Sequence, residues 1–359
     1  MRTNRKGVST TLVIGVLIVI IAAAGLGYYL LTPPAPEQAA TLTAGGASFP
    51  YPLITKWISK YNSQHTNIQI SYQSIGSGGG QSNLFSKTFD FAGSDAPLSD
   101  AQLANYTVLH LPETVGGVVV SYNLPGVASG LKLNADVIAK IFLGNITRWN
   151  APEIAALNTN LTLPDQDIVV VRRSDSSGTT FVFTSYLANA SASWTLGKGT
   201  TVNWPVGIGA PGNSGVASSI KQTPYSIGYL EFFYAKNNSI PYAYVENRNG
   251  QFVEPTLTTI SNAAKVGASL LTKDVRFPIV NLAGDSVYPI SSFTYILVYK
   301  DLSYMDKAKA TATVGFLWWA IHDGQSYSEA LLYPKLPNEV VVLGENILRQ
   351  MTYQGRSLV

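Results

Sequence analysis

The sequence predicts an α/β fold, because short apolar strands alternate along it with helical patterns. Residues 68–72 alternate apolar and polar side chains, as a half-buried strand does, and Gly76 follows soon after. Residues 116–122 and 167–171 contain β-branched runs, which are typical of strands buried on both faces of a sheet. The length of 359 residues suits two domains, or one large domain.

The N-terminus is predicted to be a transmembrane helix behind a basic leader. Residues 8–31 form an uncharged run, which as a helix would reach about 36 Å, enough for a bilayer core of about 30 Å. The leader, residues 1–7, contains Arg2, Arg5 and Lys6. Because basic flanks stay in the cytoplasm, we expect the rest of the chain on the outside of the membrane, anchored to it.

Two alternatives stay open for this segment. A cleaved secretory signal would have an apolar region of about 7–15 residues, and this run is longer. The basic-Gly junction before it resembles the prepilin-type signals of archaeal surface proteins, in which cleavage after Gly7 would leave the apolar helix as an anchor. Residues 32–40 follow as a proline-rich linker.

Helical patterns and proline-containing breaks organise the remainder of the chain. The helices are predicted at residues 51–64, 135–143, 180–188 and 308–322. Two breaks, each interpreted as following a strand, lie at residues 123–126 and 288–290. If both are hinge crossovers, the chain forms two lobes with a ligand cleft between them. Lobe I would be residues 41–122 together with 289–359, and lobe II residues 123–288.

Composition excludes several classes of function. The 24 Lys and Arg residues include three in the leader, which leaves 24 − 3 = 21 bases against 21 acids. No basic cluster suggests a nucleic-acid partner. The absence of cysteine excludes disulfides, a Cys-ligated zinc site and a thiol nucleophile. Five Asn-x-Ser/Thr sequons are compatible with an exported glycoprotein, at Asn105, Asn145, Asn160, Asn189 and Asn237.

Three segments rich in small residues share one design, since each leads into a predicted helix. They are residues 45–51, residues 76–81 before a helix predicted to begin at Ser82, and residues 173–180. In the first, Ser48 suits an N-cap and Pro50 suits the first helical turn. Free backbone N–H groups at a helix N-terminus favour an anion. Hydroxyl groups can add donors, at Ser48, Ser77, Ser177 and Thr179.

Arg173 follows the β-branched run of residues 169–171 and therefore lies at the carboxyl end of a strand, where open α/β sheets place ligands. Its guanidinium offers a bidentate fork to a tetrahedral oxyanion. The structural alternative is a salt bridge with Asp175, and the two roles are compatible.

Asp95 is a carboxylate among these anion-binding segments. A carboxylate repels an anion unless the ligand carries a proton that it can donate, as phosphate does near neutral pH and sulfate does not. Asp95 would accept that hydrogen bond and would disfavour sulfate. The structural alternative is a helix cap, because Ser99 and Asp100 follow closely.

An enzyme is the competing class of function. Ser177 could be a nucleophile, but none of the three histidines lies in a triad-like motif. Clustered His and Asp residues for a metallophosphatase are missing from the sequence. We therefore expect no enzymatic activity, no metal and no cofactor.

The chain resembles the phosphate-binding subunits of high-affinity phosphate ABC importers. The resemblance covers roughly residues 41–345, and its motifs lie at residues 45–50, 72–79, 94–99, 116–119, 141–149, 169–187, 204–207, 227–229 and 288–290. It implies a two-lobe venus-flytrap fold of the type II periplasmic binding proteins, with two hinge crossovers. The transmembrane leader departs from the soluble or lipid-anchored forms of the family. A sulfate, molybdate or tungstate carrier and a pilus-like subunit are the remaining alternatives.

The resemblance also implies the ligand residues and the partners. Inorganic phosphate would be bound by Ser48, by Phe49 through its backbone, and by Ser77, Asp95, Arg173, Ser177, Gly178 and Thr179. Asp175 would orient Arg173. The permease subunits of an ABC importer would receive the phosphate at the cell surface.

Overall fold

A mixed sheet of eight strands runs through the protein, in a computed structural model that describes residues 39–359. The strands of this sheet are β1 (Ala40–Gly46), β2 (Ile68–Ser74), β3 (Phe91–Ser94), β4 (Val108–Asn123), β6 (Val169–Arg173), β7 (Ile208–Ala210), β8 (Ser226–Glu231) and β11 (Ser291–Tyr299). Their spatial order is β2-β1-β3-β11-β4-β8-β6-β7. Short strands outside it are β5 (Lys132–Leu133), β9 (Tyr244–Glu246), β10 (Phe252–Val253), β12 (Thr352–Tyr353) and β13 (Arg356–Ser357).

Helices connect the strands and cover the sheet. In chain order they are α1 (Tyr51–Gln64), α2 (Ser77–Phe85), α3 (Asp100–Leu103), α4 (Ala135–Phe142), α5 (Pro152–Leu157), α6 (Gly178–Ala190), α7 (Gly212–Gln222), α8 (Phe232–Asn237), α9 (Leu257–Leu271), α10 (Lys307–Ile321) and α11 (Asn338–Leu348). The predicted α/β class is therefore confirmed. The helix predicted at residues 51–64 has the predicted bounds, and those predicted at 135–143, 180–188 and 308–322 differ by one or two residues at their ends.

The long strand β4 joins two halves of the sheet. Its first part, Val108 to Gly117, pairs with β11, whereas its last part, Val118 to Asn123, pairs with β8, and both pairings are antiparallel. In one half β1, β2 and β3 run parallel, and in the other β6, β7 and β8 do. Every predicted ligand residue lies at or shortly after the carboxyl end of one of these parallel strands, as expected for ligand sites of open α/β sheets.

The start of α2 differs from the prediction. The helix begins at Ser77 and not at Ser82, because Gly76 adopts a positive φ of 82° that turns the chain directly into it. The glycines therefore form the first turn. A Cβ on Gly80 would lie 2.6 Å from the Cα of Gly46, so close packing against β1 requires glycine in a helix that glycine otherwise disfavours.

Two further local predictions were wrong. Ser48 does not cap α1, because Pro50 occupies the N-cap position without a side-chain cap and the Ser48 hydroxyl is bonded elsewhere. The break at residues 288–290 precedes β11, whereas the prediction placed it after a strand.

The N-terminal predictions fall largely outside the described residues. The basic leader and the transmembrane helix predicted at residues 8–31 belong to this part of the chain. Among residues 39–359, none of the helices combines the length and apolar character needed to span a membrane. The asparagines of all five sequons are exposed, and their glycosylation stays a prediction.

Candidate functional site

Three strand-to-helix connections meet at one place. Ser48 follows β1, Ser77 opens α2 after β2, and Gly178 opens α6 after β6. A Cβ on Gly178 would lie 2.5 Å from Oδ2 and 2.6 Å from Cβ of Asp95, so these residues are in close contact across the two halves of the sheet. The N–H of Gly78 also donates to the carbonyl of Ser176 over 3.0 Å. The structure thus brings the three predicted anion-binding segments together.

Arg173 is the buried cation of this site. It is the last residue of β6, and its side chain is 1% exposed. Its Nε donates to Asp175 Oδ1 over 2.7 Å, Nη2 donates to Asp175 Oδ2, and Nη1 donates to Thr179 Oγ1 over 3.2 Å. A guanidinium has five N–H donors, so two remain for a ligand.

Asp175 holds this guanidinium in place. Burial opposes its ionisation, but the hydrogen bond and the charge of Arg173 hold the pKa of Asp175 below its usual value. Its Oδ1 also accepts from the N–H of Gly212 over 3.1 Å. The salt bridge that the sequence left open is present, and it fixes the orientation of Arg173.

Four buried hydroxyl groups lie around the contact between Gly178 and Asp95, and each already accepts a hydrogen bond from the protein. Ser48 Oγ accepts from the backbone N–H of Asn213 over 3.1 Å and from its Nδ2 over 3.0 Å. Ser77 Oγ accepts from the N–H of Asp95 over 3.2 Å, and Ser177 Oγ accepts from the N–H of Thr180 over 3.1 Å as the N-cap of α6.

Thr179 completes the set, because its Oγ1 accepts from Arg173 Nη1 and, over 3.1 Å, from Asn213 Nδ2. Among residues 39–359, no acceptor receives the protons of the four hydroxyls Ser48, Ser77, Ser177 and Thr179. The first N–H groups of α6, at Gly178 and Thr179, have no intrahelical acceptor either. The site therefore presents donors to an anion.

The peptide at Ser48 and Phe49 is fixed by two tyrosines. Tyr234 donates its hydroxyl to the Ser48 carbonyl, and Tyr333 donates its hydroxyl to the Phe49 carbonyl, each over 2.7 Å. Phe49 is itself fully buried. Fixing both carbonyls fixes the orientation of the peptide N–H between them.

Asp95 is the acceptor of the site. It is 1% exposed, and its Oδ1 accepts from Thr294 Oγ1 over 3.0 Å. Its Oδ2, which lies against Gly178, is buried and has no hydrogen-bond partner among the described residues. Burial raises the pKa of Asp95 to about 7, although the Thr294 hydroxyl and the charge of Arg173 lower it. Asp95 does not cap a helix, since Ser99 is the N-cap of α3.

Sequence reasoning missed two residues of the site. Asn213 is fully buried at the start of α7 and links Ser48 to Thr179, while its Oδ1 accepts from the N–H of Glu231 over 3.0 Å. Thr294 in β11 bonds Asp95. The turn at residues 211–213, between a strand and a helix, carried the same signal as the three predicted segments. Thr294 had no local signal.

The arrangement suits one small tetrahedral oxyanion that carries a proton. Four hydroxyl protons, backbone N–H groups and a guanidinium would bind its oxygens, and one carboxylate oxygen would accept its proton. Within residues 39–359, no group of three or more His, Asp and Glu side chains could hold a metal ion. The chemistry offered is binding of an anion by hydrogen bonds.

Comparison with known proteins identifies relatives that are named phosphate-binding proteins. A family model described as the PBP superfamily domain matches residues 32–323. The phosphate-binding protein PstS of Pasteurella multocida is 43% identical over 308 residues, which cover 85% of this chain and 88% of that protein. The PstS of Methanocaldococcus jannaschii is 38% identical over 330 residues, with 85% of each chain covered.

Solved structures share the fold. A high-affinity periplasmic phosphate-binding protein, PfluDING, has a TM-score of 0.66 at 20% identity and covers 89% of this chain and 100% of its own. The phosphate-binding protein of Stenotrophomonas maltophilia has a TM-score of 0.62 at 21% identity and covers 85% of this chain and 93% of its own. With the family model and the sequence relatives, this shows that the chain belongs to the PBP superfamily and, within it, to the PstS family.

Proposed function

We propose that the protein binds inorganic phosphate outside the cytoplasm and delivers it to the permease subunits of an ABC importer. The relatives reported above are named phosphate-binding proteins, which are binding proteins rather than enzymes, as the sequence predicts for this chain. The observation that carries the proposal is the environment of Asp95. Its Oδ2 is a buried acceptor without a partner among the described residues, and it lies among donors.

In this proposal the donors of the site divide the phosphate oxygens among them. Arg173, oriented by Asp175, binds with its two remaining N–H groups, and the protons of the four hydroxyls are directed to the ligand. The hydroxyls are those of Ser48, Ser77, Ser177 and Thr179, and the backbone N–H groups are those of Phe49, Gly178 and Thr179. Asp95 accepts the P–OH proton.

Asp95 would also decide between phosphate and its analogues. Phosphate near neutral pH has a proton to donate to Oδ2. Sulfate has none, so its oxygen would face a buried carboxylate oxygen without a hydrogen bond. Sites built to pair a ligand hydroxyl reject the analogue that lacks it by about 10⁴–10⁵. A sulfate, molybdate or tungstate carrier is therefore the less favoured reading.

Capture by closure of two lobes is part of the proposal. Lobe I is residues 41–122 with 289–359, and lobe II is residues 123–288. The change of partner along β4, from β11 to β8 after Gly117, supports a crossover through this strand, a few residues before the proposed boundary at residue 122. The contact of Gly178 with Asp95 supports closure of one lobe on the other around the ligand.

The membrane tether rests on the sequence of residues 8–31 and the basic leader before it. The full chain should pellet with membranes, resist extraction by high salt and be released by detergent. A chain that salt releases would contradict the tether without affecting the ligand.

The test of the ligand is calorimetric titration of the full-length protein in mild detergent, after exhaustive removal of phosphate. We expect tight binding of one phosphate per chain and no response to sulfate. Sulfate binding of equal strength would refute the selectivity argument, and the absence of any anion binding would refute the proposed function. Turnover of p-nitrophenyl phosphate, with or without added metals, would reopen the enzyme alternative.

A further inference from the structure

Behind Asp95 lies a second buried carboxyl group, Glu113. It is fully buried in β4. The hydroxyl of Thr294 lies 3.0 Å from Asp95 Oδ1 and 3.2 Å from Glu113 Oε1, so one side chain connects the two acids. The other oxygen of Glu113, Oε2, is buried without a hydrogen-bond partner among the described residues. Neither the predicted ligand set nor the mechanism above uses Glu113.

The backbone is built to present Glu113 in this way. Thr294 pairs with Thr114 and the next residue, Tyr295, pairs with Pro112, so Glu113 is the extra residue of a β-bulge. Bulges re-aim side chains and occur next to functional sites. Gln325 Nε2 donates to the Glu113 carbonyl over 3.0 Å, which fixes the bulged peptide.

Hydrogen counting assigns a proton to this cluster. The Thr294 hydroxyl has one proton and can donate to only one of the two carboxyl groups. If both were ionised, the other carboxylate would face the hydroxyl oxygen, acceptor against acceptor, in a fully buried place. One carboxyl group must therefore be protonated and donate to Thr294. On the proposed function, Asp95 accepts the phosphate proton, so the cluster proton belongs to Glu113.

We propose that Glu113 is a positioning residue, protonated in the phosphate-binding state, which donates to Thr294 and thereby directs the Thr294 hydroxyl to Asp95. The inference rests on the proposed function and deepens it, since it names the group that keeps Asp95 an ionised acceptor. Glu113 does not touch the ligand in this arrangement.

The surroundings favour a proton on Glu113. Burial, and to a lesser extent the charge of Asp95, raises the pKa of Glu113 to about 8, although the Thr294 hydroxyl lowers it. The charge of Arg173 reaches Asp95 and lowers the pKa of that carboxyl. Three tyrosines that face the pair are neutral near pH 7, because burial raises the pKa of each further above its usual value: Tyr72, Tyr234 and Tyr333. Burial also raises the pKa of Glu231. Asp175, whose pKa Arg173 keeps low, is the charged carboxylate that acts on Asp95, and it raises the pKa of Asp95.

The test compares the wild type with Glu113→Gln by phosphate titration from pH 6 to 9.5. Glutamine keeps a donor for Thr294 and cannot ionise. At pH 6 we expect Kd values of the two proteins within about fivefold. Above about pH 8, the wild-type Kd should rise relative to that of the variant by up to about tenfold per pH unit, because binding then requires a proton on Glu113. The titration of phosphate is the same in both experiments, so it cancels in the ratio of the two Kd values.

Asp90→Asn is the matched control, since Asp90 is also a buried carboxyl group but pairs with Lys309 away from the site. Its Kd should follow the pH profile of the wild type. Parallel profiles for the wild type and Glu113→Gln at every pH would overturn the inference. So would a loss of binding by Glu113→Gln at pH 6 of more than about thirtyfold with an unchanged melting temperature, because Glu113 would then have to be ionised.

Infrared spectroscopy with bound phosphate tests the same point by difference between the wild type and Glu113→Gln, because burial raises the pKa of Glu231 as well. The difference should contain a protonated-carboxyl band at pH 6 that loses intensity by pH 9.5, and its absence at pH 6 would contradict the assignment. Failure of the wild type to bind phosphate at pH 6 is a different result, because it refutes the proposed function itself.

Discussion

Replacing Asp95 by asparagine tests the role of the buried acceptor, because the substitution keeps the shape and removes the charge. The amide oxygen can still accept from Thr294, which bonds Oδ1 over 3.0 Å. The amide nitrogen would replace Oδ2, the atom without a partner among the described residues. The phosphate proton would then meet a donor in place of an acceptor.

The expected change in ligand affinity follows from that exchange. Phosphate loses a hydrogen bond to a charged group, about 1.5–3 kcal/mol, which raises its Kd about 10–150-fold. Sulfate gains a donor and loses a repulsive carboxylate, so its binding should strengthen. Together these changes should reduce the preference for phosphate by about 10³-fold or more, out of the about 10⁴–10⁵ that such a site can supply.

The same variant should change the stability of the phosphate-free protein in a pH-dependent way. Burial raises the pKa of Asp95 from 3.8 to about 7, so the folded state favours the protonated acid. The contribution of Asp95 to the free energy of unfolding is then fully present below about pH 4 and is lost as the pH rises through 7. The loss is about 4 kcal/mol, at 1.36 kcal/mol per pKa unit. Asparagine does not titrate and should escape this loss.

Calorimetry measures both effects. Titrations with phosphate and sulfate give the preference, and melting of the phosphate-free proteins at pH 4 and pH 8 gives the stabilities. We expect Asp95→Asn to melt several degrees above the wild type at pH 8 and near it at pH 4. An unchanged preference for phosphate, or a variant that is less stable than the wild type at pH 8, would refute the reasoning.

Three further variants test the rest of the site by titration with phosphate and by melting. Gly178→Ala should raise the Kd about 5–150-fold, because its Cβ would overlap Ser77 and Asp95 when the site is closed. Arg173→Lys keeps the charge but loses the bidentate contact with Asp175, and should weaken binding about 10–100-fold. Asn213→Ala should lower the stability by about 1–3 kcal/mol and weaken binding about tenfold, because its hydrogen-bond partners are buried.

Gly79→Ala is the control for the glycine variant, since the nearest atoms to a Cβ there belong to the exposed side chain of Ile75. Unchanged phosphate binding by Gly178→Ala would show that the contact with Asp95 is not part of the bound state. Wild-type affinity of Arg173→Lys would mean that the guanidinium fork is not used. Wild-type behaviour of Asn213→Ala would remove Asn213 from the site.

The α/β class could be read from the sequence because local patterns report burial. The helix at residues 51–64 has the predicted bounds, and residues 116–122 lie in β4, which is buried along nearly its whole length. The start of α2 was not predictable from propensity, because its glycines disfavour a helix. Gly80 is needed because β1 approaches too closely for any side chain at this position, and a Cβ on Gly78 would overlap the side chain of Ser176.

The donors of the site were also accessible to sequence reasoning. Small residues and hydroxyls after a strand and before a helix leave backbone N–H groups free, and this local rule led to Ser48, Ser77, Ser177 and Thr179. The same rule, applied to the turn at residues 211–213, would have led to Asn213.

The sequence by itself determined the alternation of strands and helices, the segments that offer donors to an anion, and the choice of Arg173 and Asp95. Only the tertiary structure decided which groups form hydrogen bonds with the residues of the site. Asn213 is 165 residues from Ser48, and Thr294 is 199 residues from Asp95 and 181 from Glu113. Contacts at such separations leave no periodicity in the sequence, since they depend on how the two halves of the sheet are joined through β4. The proton that we assign to Glu113 depends on these contacts, because it follows from the position of the Thr294 hydroxyl between Asp95 and Glu113.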